Sequence, residues 1–373
     1  MADAIGGGCI KNMGKRSGVA QILQAMAVVA LVVLGSSVAH AQGCIIAHST
    51  GGVGGPANQG GYLQAHHWQL DINYRHQFSF RHFVGDIEQE YRLQEGTEVE
   101  NRINLENFVL TYQISPRWSA DINVPLLTAS RHKHDGYYTM HTAGVGDVSI
   151  SVQRWMWDPQ NNPSHNVQLG LGIQFPTGRD NIQNRVIVAP GLPPQEVIPD
   201  YSVQPGTGGY GIPFQWIAFQ DLGSSRAQIY FNGSYLITPQ EMNGVVPDHF
   251  GYAPPPNPAY TPYFSISDEY LMEAGVAYSF ASVKGLSATF GPRDEGVPAH
   301  DLIGGDLGFR RPGFALSLEP GLQYYRWDDI FTVTVGRAIY RDRTRSVPDI
   351  HLGTHGDAAF ADWVWLASFT HRF

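Results

Sequence analysis

Apolar and polar residues alternate along much of this chain, and the clearest example is the segment 66–80. Its large apolar residues fall at every second position, and charged or amide side chains stand between them. A period of two is typical of an extended strand whose two faces meet different surroundings. The last segment, 360–373, shows the same pattern. The apolar face of the first segment comprises Trp68, Leu70, Ile72, Tyr74, Phe78 and Phe80.

Twelve segments of this kind predict an all-β chain: a transmembrane, antiparallel, up-and-down β-barrel of about 12 strands. The connections between them are alternately short and long, and the long ones are rich in Pro and Gly. In outer-membrane barrels the short turns are periplasmic and the long loops extracellular, so we expect both termini in the periplasm. A soluble β-sandwich, which also alternates, is the alternative. The predicted strands span 66–80, 103–114, 117–129, 144–157, 166–177, 210–221, 226–238, 269–281, 285–291, 313–326, 329–341 and 360–373.

The N-terminal segment has the pattern of a secretory signal. Lys11, Lys15 and Arg16 precede an apolar run at 19–34, and the triplet 39–41, Ala-His-Ala, supplies small residues for cleavage. The run is short for a membrane-spanning helix, although a transmembrane anchor is the alternative. The predicted organisation is a signal peptide at 1–41, a flexible periplasmic lead at 42–65 and a barrel at 66–373.

Charge and cysteine content narrow the class of protein. The formal net charge is −9, and loss of the signal segment, with three basic residues and one acidic residue, would leave −11. A nucleic-acid-binding protein should carry a basic surface, so we expect no nucleic-acid partner. Cleavage would leave a single cysteine, Cys44, which cannot form a disulfide within the mature chain.

The end of the chain resembles the sorting signal of bacterial outer-membrane barrels. Trp365, Ala367, Phe369 and Phe373 place apolar side chains at alternate positions up to a terminal Phe, whereas His371 departs from that pattern. The resemblance assigns Trp365, Phe369 and Phe373 to an assembly signal. It implies the outer membrane of Gram-negative type as the location, with outer-membrane lipid and the barrel-assembly machinery as partners.

Two internal segments carry a narrower resemblance. The segment 144–150, Gly-Val-Gly-Asp-Val-Ser-Ile, opens one strand, and 170–178, Gly-Leu-Gly-Ile-Gln-Phe-Pro-Thr-Gly, closes the next. Together they resemble the outer-membrane proteins named for the MetA pathway of phenol degradation. That family implies a channel for hydrophobic compounds, broadly similar to the long-chain fatty-acid transporters. The motifs are short and Gly-rich, and they assign no individual binding residue.

Polar residues that alternate toward the interior are the candidate functional residues. Rings of charged side chains can select among solutes in a narrow pore. The alternative is that these groups only satisfy one another inside a small barrel. The predicted lumen-facing residues are Asp71, Asn73, Arg75, Asp121, Asn123, Glu273, Glu319, Asp362 and Arg372.

Pro320 and Gly321 fall in the middle of a predicted strand. Proline cannot donate a hydrogen bond to the ladder, and a closed barrel has no free edge on which to place it. We therefore predict a kink or a lateral gap in the barrel wall at these two residues.

Other motifs offer little chemistry. The segment 131–135, with His141 nearby, could supply imidazole and carboxylate ligands to a metal, but its place in a surface loop favours solvated histidines. The glycine-rich segment 206–209 is not followed by Lys-Ser/Thr and is therefore not a phosphate loop. The sequence predicts no enzyme, no metal site and no cofactor.

The function that these patterns favour is an outer-membrane channel for passive uptake of small-molecule solutes, including hydrophobic or aromatic ones. One alternative is a structural or adhesive barrel whose lumen is plugged and whose long loops contact partners. The other is a barrel hydrolase, which would need a nucleophile, a base and an orienting group on one wall. Twelve strands lie between small packed barrels and wide aqueous ones, so strand number alone does not decide.

Overall fold

The computed structural model describes residues 62–133, 139–188, 190–246 and 263–373. Within these residues, 12 long strands pair side by side in chain order, and every pairing between them is antiparallel. The first strand also pairs with the last, with Asp71 opposite Thr370 and Tyr74 opposite Ala367, so the sheet closes. The predicted 12-stranded, transmembrane antiparallel barrel is confirmed.

We label the barrel strands β1 to β12 in chain order; β4 consists of two pieces. The strands are β1 (Trp68–Val84), β2 (Val99–Gln113), β3 (Trp118–Lys133), β4 (Thr139–Val145 and Ser149–Trp155), β5 (His165–Gln174), β6 (Ile212–Asp221), β7 (Ala227–Ile237), β8 (Glu269–Ser279), β9 (Leu286–Val297), β10 (Gly313–Arg326), β11 (Asp329–Asp342) and β12 (Ala358–Arg372).

In the described ranges, little regular structure lies outside the barrel. Ile87–Glu88 adds a two-residue strand beside β1, and Asn184–Val186 pairs with Gln195–Val197. The helices are α1 (Tyr91–Glu95), α2 (Val347–Leu352) and a 3₁₀ turn at Tyr201–Val203. In the described part of the chain, no helix is both long enough and apolar enough to cross a membrane.

The two ends of the barrel differ, and we call them the turn end and the loop end. The connections at the turn end are short, and β1 and the chain terminus meet there through backbone hydrogen bonds of 2.8 and 3.0 Å between Trp68 and Phe373. The loop end carries the long connections, with one correction. β3 and β4 extend further than predicted, so the connection between them shrinks to 134–138, which lies outside the described residues.

Burial is inverted relative to a soluble protein. Apolar side chains on the outer face are exposed, Leu171 to 58%, whereas charged and amide side chains on the inner face are buried. This distribution is the one expected of a barrel with lipid outside and a polar interior. Further exposed apolar residues of the outer face are Ile122, Ile150, Phe214, Val276, Phe290, Leu322, Phe331, Val333 and Trp365.

The break in β4 has a specific cause. The carboxylate of Asp147, between the two pieces, accepts hydrogen bonds from the backbone N–H of Gly178 at 2.9 Å and of Thr207 at 2.8 Å. Gly178 and Gly206 pack backbone to backbone, because a Cβ on Gly178 would stand 2.7 Å from the Cα of Gly206. These contacts tie the long connection between β5 and β6 to the barrel wall.

Candidate functional site

The structure places the predicted lumen-facing residues on the inner face, at three levels. Asp71, Asn73, Asp121, Asn123 and Arg372 lie toward the turn end and line a cavity. Arg75, Glu273 and Glu319 lie at mid-height within a group of charges. Asp362 lies toward the loop end, where it pairs with Arg81 at 2.9 Å and also with Arg341.

The charges at mid-height form a buried network that we call the central ion cluster: Arg75, Glu273, Arg293, Glu295 and Glu319. Both terminal nitrogens of Arg75 donate to Glu295, at 2.7 and 2.8 Å. Arg293 donates to Glu295 at 3.0 and 3.1 Å, to Glu319 at 3.4 Å, and also to Glu273. Arg75 is 0% exposed and Arg293 is 1% exposed, so the cluster fills the lumen at this level.

Arg293 and Glu295 escaped prediction because β9 runs to Val297, whereas the sequence suggested a strand that ends at residue 291. Pro292 and Asp294 occupy outer-face positions where an apolar strand former is expected, and they mask the alternation. The inner-face sequence Ser287, Thr289, Gly291, Arg293 and Glu295 keeps the period of two, and a search for polar alternation alone would have found it.

The loop end of the lumen is closed by the connection between β5 and β6. Val203 packs inside the barrel against inward-facing residues of β2 and β3. Asp200, beside it, is buried and pairs with Arg311. Burial alone would raise the pKa of Asp200. The guanidinium groups of Arg311 and Arg131 outweigh the effect of burial and hold this pKa well below its usual range. The inner-wall residues that form one buried hydrophobic cluster with Val203 are Ile103, Leu105, Leu127 and Ala129.

Between the central ion cluster and the turn end lies a space that we call the lumen cavity. It comprises two adjoining compartments of about 310 and 270 Å³, which share several wall residues. Gln69 donates to Asp71 at 3.0 and 3.2 Å, Thr370 also donates to Asp71, and Gln153 donates to Asp121. Other polar residues of the wall are Asn73, Asn107, Asn123, Gln168, Gln215, Asn232, Ser234, Gln323, Thr332 and Ser368.

Aromatic residues line the turn end of the cavity. The ring of Tyr62, in the segment before β1, meets the ring of Trp155 edge-on, with 5.0 Å between centroids. The Tyr62 hydroxyl donates to the backbone oxygen of Asn162 at 3.2 Å. Phe219 and Tyr230 complete this apolar group. Residues 62–65 of the predicted lead therefore begin with a side chain packed into the barrel, and the rest of the lead lies outside the described residues.

Strand pairing in the barrel wall is interrupted at Pro320, but only on one side of its strand. β10 keeps its register with β9 through both Pro320 and Gly321. On the other side, the pairing with β11 omits Glu319 and Pro320 and resumes with Gly321 opposite Thr334. Thr289 and Thr334 stand so close to Gly321 that they occupy the space a side chain would fill. A lateral gap therefore stays a prediction, and any opening would have to begin at Pro320.

In the histidine-rich segment, the ring of His132 contacts the hydroxyl of Thr139 at 2.8 Å. His134 and Asp135 lie outside the described residues. Within the described ranges, no group of three or more His, Cys, Asp or Glu residues could hold a metal ion.

No protein-family model and no curated protein matches the sequence. The fold is similar to that of an outer-membrane channel from Pseudomonas putida F1, with a TM-score of 0.54, 12% identity, and coverage of 85% of this chain and 99% of that chain. The β domain of the Bordetella autotransporter BrkA (TM-score 0.43, 11% identity, 82% and 99% covered) and the P. putida toluene transporter TodX (0.41, 8%, 82% and 90%) also match. These last two likenesses are too weak to support a conclusion.

The class defined by the closed sheet and its inverted burial is therefore the transmembrane β-barrel. At 12% identity the likeness to the P. putida channel shows the fold alone. The narrower resemblance to the MetA-pathway family stays a prediction.

Proposed function

We propose that this protein is an outer-membrane channel that passes small solutes passively. The observation that carries the proposal is the lumen cavity, a space lined by polar and apolar side chains inside a closed barrel whose outer face is apolar. A packed barrel with a purely structural role has no need for two adjoining compartments of about 310 and 270 Å³. The fold, shared with an outer-membrane channel, supports the same reading.

The proposed location is the outer membrane, with the turn end and both termini in the periplasm. The exposed apolar outer face supports a lipid environment, and short periplasmic turns are the rule in such barrels. The barrel-assembly machinery and outer-membrane lipid are the partners that this location implies. The terminal residues Trp365, Phe369 and Phe373 would then serve as the assembly signal.

The kind of solute follows from the cavity wall. Most of its side chains are amides, carboxylates and hydroxyls, which suit a polar solute in transit. A hydrophobic or aromatic solute, which the family resemblance implies, would need a route that leaves the polar lumen. Pro320 is the place in the wall where such a lateral route would begin.

Conductance in a planar bilayer tests the proposal. The full chain, purified in detergent and shown to be folded by a heat-dependent shift on SDS gels, should produce discrete current steps. Folded protein that inserts but yields no steps at any voltage would contradict the channel. Recovery of the protein in the soluble periplasmic fraction would contradict the location.

A second candidate, the plugged structural or adhesive barrel, is favoured by one specific observation. The central ion cluster and Val203 fill the lumen at two successive levels. Deletion of a long loop that spares the barrel but abolishes adhesion would favour this candidate. No contact among the described residues specifically favours the third candidate, a hydrolase.

A further inference from the structure

Three amide oxygens and one indole N–H, that of Trp216, belong to residues of the lumen-cavity wall and have no hydrogen-bond partner among the described residues. Asn232 is 6% exposed and Gln323 is 8% exposed, and both line the larger compartment. Their side-chain oxygens, and that of Asn123, accept no hydrogen bond from any described residue. A buried amide oxygen without a partner costs free energy, so each of these atoms favours a ligand that brings a donor.

Two carboxylates face the same space. Asp71 on β1 and Asp121 on β3 lie on either side of β2, and both line the larger compartment. Arg372 also lines the cavity; it donates to Gln69 at 3.0 Å, and its charge acts on Asp71. The described partner of Asp121 is the neutral amide of Gln153. The formal charges of Asp71, Asp121 and Arg372 therefore sum to −1, with Asp121 the carboxylate least balanced by a base.

The central ion cluster, three carboxylates against two guanidinium groups, bounds the loop side of the cavity. A cation in the cavity would meet a favourable field from Asp71 and Asp121 of the wall. The volume of the larger compartment limits the size of a ligand, since about 310 Å³ corresponds to roughly ten water molecules.

We propose that the lumen cavity binds a small organic cation with several N–H donors, of the class of short aliphatic diamines. One ammonium group is held by Asp121 and Asp71, and the remaining donors satisfy the amide oxygens of Asn232 and Gln323. This inference rests on the proposed function only in that the ligand reaches the cavity through the lumen. It names the solute class as cationic and rich in donors, rather than hydrophobic.

Calorimetry on the folded full chain in detergent tests the proposal without requiring current. Three probes share a four-carbon chain and differ at their ends: butanediamine, butanediol and succinate. We expect butanediamine to bind measurably more tightly than butanediol, and succinate not to bind. Asp121→Asn and Asp71→Asn should each weaken butanediamine binding about tenfold, because each removes a charge-assisted hydrogen bond. Asn232→Leu should weaken it to a smaller extent.

Asp86→Asn is the matched control, because Asp86 is an exposed carboxylate beyond the loop-end limit of β1, away from the cavity. It should bind butanediamine as the wild type does, and the heat-dependent gel shift confirms the fold of every variant. Equal binding of butanediol and butanediamine would overturn the cationic class. Absence of binding, or binding unchanged in both aspartate variants, would overturn the site. Diamine binding by a protein that never conducts would instead contradict the channel and leave this inference standing.

Discussion

Arg75 and Glu295, 220 residues apart in the chain, join β1 to β9 across the lumen through two hydrogen bonds of 2.7 and 2.8 Å. The strands that carry them are not neighbours in the wall, since β10, β11 and β12 lie between them. The pair therefore acts as a cross-brace inside the barrel. The same contact closes the lumen above the cavity, so stability and permeability are coupled at this point.

Arg75→Met should destabilise the barrel and increase its conductance. Removal of one partner from a buried ion pair leaves an uncompensated charge, at a cost of roughly 3–5 kcal/mol. The double variant Arg75→Met with Glu295→Gln should be less destabilised than the two single changes together predict. Urea unfolding measures the first effect and single-channel current the second. Strictly additive losses would mean that the pair carries no coupling.

The alternation of polar and apolar residues predicts most of this fold, because each strand must separate lipid from lumen at every residue. It fails where an outer-face position is occupied by an unusual residue, as at Pro292 and Asp294. It also fails where distant contacts decide: the break in β4 depends on Asp147 binding Thr207, 60 residues away. The alternation predicts that the side chain of Arg75 points inward. Its pairing with Glu295 depends on strand number and register, which no local pattern encodes.

Arg at Leu171 should destabilise the barrel more than Arg at Gln168. Both residues lie on β5, but Leu171 is exposed on the outer face, whereas Gln168 lines the cavity. An Arg that faces lipid at mid-membrane costs roughly 2–4 kcal/mol. Gly172 is a poor control, because a Cβ there would stand 2.5 Å from the carbonyl oxygen of Ile150. Urea unfolding in lipid vesicles gives the comparison, and the reverse order would mean that the register is shifted by one residue.

Deletion of Phe373 should lower the amount of assembled barrel. Its backbone exchanges two hydrogen bonds with Trp68 and so completes the seam between β1 and β12. The deletion also removes the terminal aromatic residue of the proposed assembly signal. Outer-membrane fractionation with a heat-shift gel measures the effect, and Phe373→Tyr serves as the control that keeps both the backbone and the ring. Equal levels of deletion and control would show that the terminal Phe is dispensable.

The connection between β5 and β6, around Val203, should lose stability in acid. Burial raises the pKa of Asp200, but the charges of Arg311 and Arg131 outweigh burial and hold this pKa below its usual value of 3.8 in the folded state. Because its pKa is lowered on folding, ionised Asp200 stabilises the folded state fully above pH 3.8. That stabilisation is lost as the pH falls toward the folded-state pKa. The protection of the amides of 199–207, measured as the exchange rate relative to that of an unstructured peptide at the same pH, should therefore fall below about pH 4. In Asp200→Asn the protection of the same amides should not change with pH, because the titrating carboxylate is gone. In Asp86→Asn it should change with pH as in the wild type.

Pro320→Thr tests whether hydrophobic solutes leave the barrel sideways. Pro320 has no N–H to donate, and the pairing of β10 with β11 omits it and Glu319. Threonine restores the donor and suits a strand, whereas Gly321 must stay unchanged because Thr289 and Thr334 already fill its surroundings. If the wall opens here, uptake of an aromatic hydrocarbon should fall in the variant, while uptake of a small polar solute and the outer-membrane level stay constant. Leu322→Thr, on the same outer face, is the matched control and should keep hydrocarbon uptake. Unchanged hydrocarbon uptake in Pro320→Thr would remove the lateral route and leave the lumen as the only path that this structure supports.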